Sequence, residues 1–441
     1  MCIVLNNRLN LFFVLVFLAG IIPFCKGQVK GKGMGKNGGN IYLSGNATNS
    51  DTFINNMLDK NSQFFNSVIS KPGRSGIQVI YTKIDRTKNG NPRFRDYSFN
   101  LDSGCYYYPA STVKLPVAAL ALQKLNELKI AGLNKNSTMI TGTAGGRQTE
   151  VFNDPSAPDG RPTIAHYIKK ILLVSDNDAF NRLYEFLGQE YINNTLQKMG
   201  YRNVQIIHRL DISLSEEENR HTNPVNFFDS TGRIIFQKEA ENSKLVYAQR
   251  DTKSGKGYYK SGQLVYEPFD FSKKNRFTLS ELHSVVKSIM FPETMPAKMR
   301  FNLTEEDYAF LRKYMSMMPR ESKSPAYDTL NYRDTYVKFL YYGAEKGKSE
   351  PDIRIFNKVG DAYGFLIDGA YFADFTNHIE FLLSAVIYCN SDEIFNDDKY
   401  DYEIIGLPFM KNLGRVIYEY ERTRVRKFKP SLSSLFFDYN Y

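Results

Sequence analysis

The sequence predicts an α/β (α+β) protein: a five-stranded antiparallel sheet flanked by helices, with an all-helical subdomain inserted between its two halves. Three observations predict it. The chain reads in order as helix, two strands, a long helical block, three strands and a helix. The strand candidates are short runs rich in β-branched and aromatic residues, bounded by turn residues, as in antiparallel hairpins. The first and last helices are amphipathic, each with one apolar face to lay on a sheet.

The N-terminus is set aside first. Residues 11–22 are an apolar run too short for a comfortable membrane span, preceded by Arg8 and followed by Cys25-Lys26-Gly27. Residues 1–27 therefore read as a signal peptide that leaves Gln28 as the new N-terminus, and the mature protein is expected to be periplasmic or secreted. Lipid modification of Cys25 is the competing reading, and the bulky Phe24 before it disfavours that cleavage. About 410 residues remain, enough for one large domain with its own core. No later run is apolar for long enough to span a bilayer, so no integral membrane span is expected.

Arg8 and Lys26 carry two of the ten net positive charges of the chain, which leaves +8 on the mature protein. Basic and acidic residues interleave along most of it, the pattern of a solvated surface, so a nucleic-acid partner is not expected. Cys2 and Cys25 fall in the leader. For Cys105 and Cys389 a disulfide and two free thiols are both open.

Residues 28–50, rich in Gly, Lys, Asn and Ser, read as a flexible leader, and residues 51–441 as the folded domain. Phe53, Ile54, Met57, Phe64, Phe65 and Val68 recur near helical spacing until Lys71-Pro72-Gly73 ends the pattern. Residues 77–84 and 94–99 are two strands around a turn at 89–92. A helix starts near Ser111 and runs through Val117, Leu120 and Leu125; a second covers 164–187. The helical insert extends over about 112–350 and includes a Tyr- and Lys-rich stretch at about 226–275, read as an insertion or surface hairpin. Helical patterns return at 279–290 and 305–317. Residues 353–357, 364–373 and 379–389 are three further strands, and 402–422 an amphipathic helix.

Three short elements carry chemistry: Ser111-Thr112-Val113-Lys114, then Ser175-Asp176-Asn177, then Lys358-Val359-Gly360. Each alone is weak, since Ser284 and Lys287 repeat the first spacing and Ser, Asp and Asn all favour caps and turns. Their order and setting give them weight. The first opens a helix, the second is flanked by helices, and the third ends a strand leading into a hairpin. Residues three apart on a helix share a face, so Lys114 can reach the Ser111 hydroxyl. Burial and neighbouring cations would lower the Lys114 pKa enough for it to act as a base.

These elements resemble the S-x-x-K, S-D-N and K-T-G signature of the class A β-lactamases and penicillin-binding serine hydrolases. The likeness extends over most of residues 51–422, including Thr163-Ile164-Ala165, residues 172–179 and Arg209-Leu210-Asp211. The resemblance implies an acyl-enzyme at Ser111, with Lys114 as base, Ser175 as proton relay and Lys358 as a positive charge for a substrate carboxylate. It also implies that Asn177 holds the substrate amide, and that the backbone N–H groups of Ser111 and of Asp361, just after Gly360, form the oxyanion hole. The implied substrates are small molecules or peptidoglycan-derived groups: β-lactams, D-alanyl peptides, or related amides and esters. No cofactor is implied, and His166, His208, His221, His283 and His378 show no metal-ligand spacing.

Two departures stand out. Val359 replaces the hydroxyl residue of K-T-G, and Leu214 stands where the family carries the glutamate that activates the deacylating water. Glu216, Glu217 and Glu218 lie just beyond it as candidates for that base, although a glutamate run in a loop is usually a solvated surface. Weak deacylation would fit a non-hydrolytic binding or sensor module as the alternative function.

Overall fold

Successive residues of a strand point to opposite faces, and in the central sheet both faces meet a core. Strands β1 (Gln78–Arg86), β2 (Pro92–Phe99), β3 (Ile353–Ala362), β4 (Phe365–Asp374) and β5 (Ile379–Tyr388) form one sheet in the order β3-β4-β5-β1-β2, with every neighbour antiparallel. In β1, Val79 and Tyr81 enter one core while Ile80 and Ile84 enter the other. In β4, Leu366, Ala370 and Phe372 are divided in the same way from Phe365, Ile367 and Tyr371. Each fully buried side chain of this size contributes roughly 1.5–3 kcal/mol. The computed structural model describes residues 47–69, 76–145, 147–347 and 349–439.

One face is covered by helices from the two ends of the chain. Ile54 and Leu58 of α1 (Ala47–Lys60) and Phe65 and Val68 of α2 (Ser62–Ile69) share a core with Leu413 and Ile417 near the C-terminus. The other face carries the insert between β2 and β3. It comprises α3 (Lys114–Leu128), α4 (Ile164–Val174), α5 (Asn177–Leu187), α6 (Gln189–Met199), α7 (Leu279–Met290) and α8 (Glu305–Ser316). Leu282, Val285, Val286 and Ile289 of α7 lie in the core on that face. Helix α9 (Leu407–Thr423) carries Leu413 and Ile417 and completes the first layer. Among the described residues no helix is long and apolar enough to cross a membrane.

The structure corrects several details. The insert is not all-helical. Thr138–Thr141, Val225–Phe228 and Ile234–Lys238 form a three-stranded sheet in which Val225 and Phe227 are buried while Asn226 and Phe228 are only partly so. The rest of the Tyr- and Lys-rich stretch forms short ladders, with Gly257–Lys260 and Gln263–Val265 as a hairpin. The pattern over 51–71 divides at Asn61, whose side chain donates to the Met57 carbonyl (2.8 Å) in place of a continued helix. The expected helix over 164–187 breaks at Ser175 and Asp176. Residues 47–50, the end of the expected leader, already belong to α1, whereas the signal of residues 1–27 and the rest of that leader lie outside the described residues. Cys389 is a free, buried thiol, so it makes no disulfide with Cys105.

Candidate active site

Ser111 sits in a tight turn that leads into α3. Residues Ala110–Val113 form a 3₁₀ turn, in which the Pro109 carbonyl accepts from the Thr112 N–H (3.1 Å) and the Thr112 hydroxyl (2.6 Å). Ala110 is held at φ +47°, a left-handed conformation that costs a non-glycine residue about 1–2 kcal/mol. The turn is thus maintained by its surroundings. Ser111 is half-buried, and Lys114, the first residue of α3, is fully buried.

Ser175-Asp176-Asn177 forms the break between two helices, and each residue has a separate task. Ser175 ends α4 at φ +62°, with its N–H on the Ile171 carbonyl (3.1 Å). Asp176 caps α5 by accepting from the Ala179 N–H (2.7 Å), so a cap is present and it is Asp176 alone. Asn177 opens α5. This geometry turns the Ser175 carbonyl and hydroxyl and the Asn177 side chain toward Lys114. The Lys114 ammonium donates to the Ser175 carbonyl, to Ser175 Oγ (3.2 Å) and to Asn177 Oδ1 (2.7 Å). Asn177 Nδ2 donates to Asp211 Oδ2 at 3.3 Å.

Lys358-Val359-Gly360 lies inside β3, two residues short of its end, whereas the sequence places it at the end of the strand. The strand continues to a two-residue turn in which Tyr363 (φ +53°) and Gly364 (φ +76°) are both left-handed. Such a turn makes Ala362 and Phe365 a pair that exchanges both backbone hydrogen bonds, and the alternation then assigns the same pattern to Gly360 with Ile367 and to Lys358 with Gly369. Val359 and Asp361 consequently turn their backbone groups to the free edge of the sheet. The Lys358 ammonium donates to the Val359 carbonyl on that edge (2.8 Å) and to Ser175 Oγ (2.8 Å). Gly360 packs on the Ser111 turn: a Cβ there would lie 2.9 Å from the Pro109 carbonyl, 2.9 Å from the Ser111 nitrogen and 3.0 Å from the Thr112 nitrogen. The Val359 side chain points the other way, into the core under α9.

Both lysines meet on Ser175 Oγ, and both are held well away from ordinary lysine behaviour. Burial, then the neighbouring Lys358 charge, drives Lys114 well below its usual value, with Asp176, Asp361 and Asp211 opposing. Burial lowers Lys358 to about 7, against Asp361 and Asp368. A lysine that is neutral near pH 7 can accept a proton. The two amines and the Ser175 hydroxyl form one hydrogen-bonded group, and the Ser111 turn stands three residues before Lys114 with its backbone against Gly360.

The three glutamates are engaged elsewhere. They form a helical turn, Glu216–Arg220, instead of a loop. Glu218 pairs with Arg147 (3.0 Å) and closes the cap with Ser215, Glu216 pairs with Lys273 (2.8 Å) and Arg220 (3.3 Å), and Glu217 pairs with His221 (3.1 Å). Upstream, Arg209 is buried against Glu185, with Nε–Oε1 2.8 Å and Nη2–Oε1 2.5 Å. Tyr107 and Tyr108 are buried, and Tyr108 packs on Tyr363 with ring centroids 4.9 Å apart.

Sequence reasoning missed a polar network behind Lys358. Lys338 donates to the Met315 carbonyl (2.6 Å) and Asn357 Oδ1 (2.6 Å), and Asn357 donates to Asp368 Oδ1 (2.8 Å). All three are buried, burial lowering Lys338 and raising Asp368. The available signal was Asp368 in the otherwise apolar run of β4, because a charge in a central strand needs a partner. Among the described residues, no group of three or more His, Cys, Asp or Glu could hold a metal ion.

Residues 66–245 match the family model described as the beta-lactamase enzyme family. Among curated proteins nothing matches. Among solved structures the chain is similar to a β-lactamase from Burkholderia phymatum, at 12% identity and TM-score 0.46 over 83% of this chain and 98% of that one. It is similar to a class A β-lactamase from Clostridium kluyveri at 15% identity and TM-score 0.45, over 82% of this chain and 98% of that one. It is also similar to PBP-A, at 15% identity and TM-score 0.44, over 82% of this chain and 95% of that one. The family match and the sequence motifs agree on one likeness: the chain resembles the β-lactamase-like and penicillin-binding serine hydrolases.

Proposed function

We propose that this chain is an exported serine hydrolase that forms an acyl-enzyme at Ser111 with a β-lactam, a D-alanyl peptide or a related amide or ester. The observation that carries the reading is the meeting of Lys114 and Lys358 on the Ser175 hydroxyl beside the Ser111 turn. Export rests on the apolar run at 11–22 behind Arg8, and N-terminal sequencing of the secreted protein tests it by finding Gln28 first.

In this mechanism neutral Lys114 takes the Ser111 proton as Oγ attacks the carbonyl carbon. The developing oxyanion accepts from the Ser111 and Asp361 N–H groups, the latter turned to the free sheet edge by the hairpin register. As the scissile bond breaks, the proton on Lys114 passes through Ser175 Oγ to the leaving atom. Lys358 stabilises the charge on Ser175 during that transfer. Asn177 orients Lys114 and the substrate amide. Water then releases the acyl group.

That last step is slow in this reading. Glu216 and Glu218 are tied to Lys273 and Arg147, Glu217 lies against His221, and the acids that bear on Lys114 are Asp176, Asp361 and Asp211. This observation favours the second reading, a binding or sensor module that acylates with little turnover. Pre-steady-state hydrolysis of a chromogenic β-lactam and an activated ester by native protein and Ser111→Ala separates the cases. A Ser111-dependent burst with slow turnover is the expected result. Turnover that survives the substitution would refute both serine-based readings.

A further inference from the structure

Aromatic rings join the Ser111 turn to the turn between β3 and β4, and a cation stands over them. Tyr108, three residues before Ser111, packs edge-on against Tyr363, two residues after Asp361, with ring centroids 4.9 Å apart. Phe269 and Phe271, from the Tyr- and Lys-rich stretch, each lie 5.4 Å from the Tyr363 ring. The Lys274 ammonium lies 5.8 Å from the Phe269 ring and 5.9 Å from the Tyr363 ring.

This wall is rich in cations and short of acids. Lys274 is half-buried, and among the described residues its ammonium has neither a hydrogen bond nor an ion pair. Arg250 lies on the Tyr106 ring at 5.1 Å and donates through Nη2 to the Lys274 carbonyl, while its Nε and Nη1 are buried with no acceptor. Arg276 donates through Nη2 to the Ser103 carbonyl (2.8 Å). The nearby acids are engaged: Asp270 accepts from the Ser272 N–H (2.8 Å), and Glu216 pairs with Lys273 (2.8 Å). A cationic wall without its own acceptors is the complement of an anion. Burial lowers the Lys274 pKa with no carboxylate opposing it, and an anion beside the ammonium would raise it again.

The place of Lys274 decides which part of a substrate reaches it. Ser175 and Lys358 stand on the leaving-group side of the scissile carbonyl. The acyl chain therefore departs on the other side, along the free edge of β3 toward Ala362 and Tyr363, and Lys274 stands at that end. Resting on Ser111 acylation, we infer that Lys274 is a specificity-determining residue that binds a carboxylate carried on the acyl part of the substrate, several bonds from the scissile carbonyl. The Tyr- and Lys-rich stretch thus contributes a subsite whose apolar floor is Phe269 and Tyr363. This selection is independent of a carboxylate on the leaving-group side, which faces Lys358.

The test uses three thioesters of mercaptoacetate that differ at the far end of the acyl chain: N-glutarylglycyl, N-glutaramoylglycyl and N-(γ-aminobutyryl)glycyl, which are anionic, neutral and cationic there. Thiol release above the Ser111→Ala background is measured at low salt for native protein and Lys274→Gln. Each kcat/KM is divided by that of the neutral thioester, so a general loss of activity in the variant cancels. The native protein should favour the anionic over the neutral thioester by about tenfold and disfavour the cationic one, and Lys274→Gln should narrow the anionic preference by about fivefold or more. Added salt should narrow the same preference in native protein, with no substitution needed. Equal native kcat/KM for the anionic and neutral thioesters, or a preference unchanged by Lys274→Gln, would overturn the inference and leave the Ser111 reading standing. Thiol release no greater than in Ser111→Ala for all three thioesters would overturn both.

Discussion

Gly360 of β3 lies against the Ser111 turn so closely that a single methyl group on it would stand 2.9 Å from the Ser111 nitrogen. Real Cβ atoms essentially never approach a backbone atom at that distance. Gly360 is there for close approach of two backbones, since no left-handed φ is recorded for it. Gly360→Ala should push the strand from the turn and separate the two N–H groups, of Ser111 and Asp361, proposed for the oxyanion. The expected outcome is a fall in Ser111 acylation of about a hundredfold or more, with the circular dichroism spectrum retained.

The glutamate run should be dispensable for deacylation. Glu216→Gln, Glu217→Gln and Glu218→Gln together remove only surface contacts that solvent screens, those with Lys273, His221 and Arg147. The half-life of the acyl-enzyme, followed by intact mass, should change less than twofold. A lifetime lengthened tenfold would mean that one of the three activates water.

Arg209→Ala should be costly without touching the chemistry. Arg209 and Glu185 are 4% and 2% exposed, and Glu185 also accepts from the Asn223 N–H at 2.5 Å. Removing one partner leaves a buried carboxylate unpaired, at about 3–5 kcal/mol. Urea unfolding reads this as a lower midpoint.

Stability should fall on mild acidification. His283 is buried between Thr82 (2.7 Å) and Ser384 (2.8 Å), with Thr82 donating to Asp96 (2.6 Å). Burial lowers its pKa to about 4, and burial likewise lowers His208 to about 4. The folded state then binds fewer protons than the unfolded state, whose histidines titrate near 6.5. The contribution is complete above about 6.5 and is lost as pH falls toward 4, with up to about 3 kcal/mol for each histidine. His283→Gln should flatten that part of the pH profile measured by chemical denaturation.

Much of the fold is legible in the sequence because its period is strong. The short runs at 77–84 and 379–389, rich in apolar and β-branched residues, give β1 and β5 within a few residues, the alternation at 94–99 gives β2, and the turn at 89–92 gives the hairpin between β1 and β2. The Val225 and Phe227 strand was hidden by the polar, Tyr-rich segment around it. The helix break at Ser175 was hidden too, because Ile164 to Leu187 keeps helical spacing straight through a left-handed residue. The motif residues were found from order and spacing, whereas Lys338, 20 residues before Lys358, meets Asn357 only through folding and leaves no local pattern. The role of Gly360 in close packing needed the position of the Ser111 turn, which lies about 250 residues away along the chain.

The central claim is that Ser111 is acylated. Incubation with an activated ester, followed by proteolysis and peptide mass mapping, tests it directly. The account predicts a single adduct on the peptide holding Ser111, absent from Ser111→Ala and strongly reduced in Lys114→Ala. An adduct on any other residue, or one that forms as fast in Ser111→Ala, would contradict it.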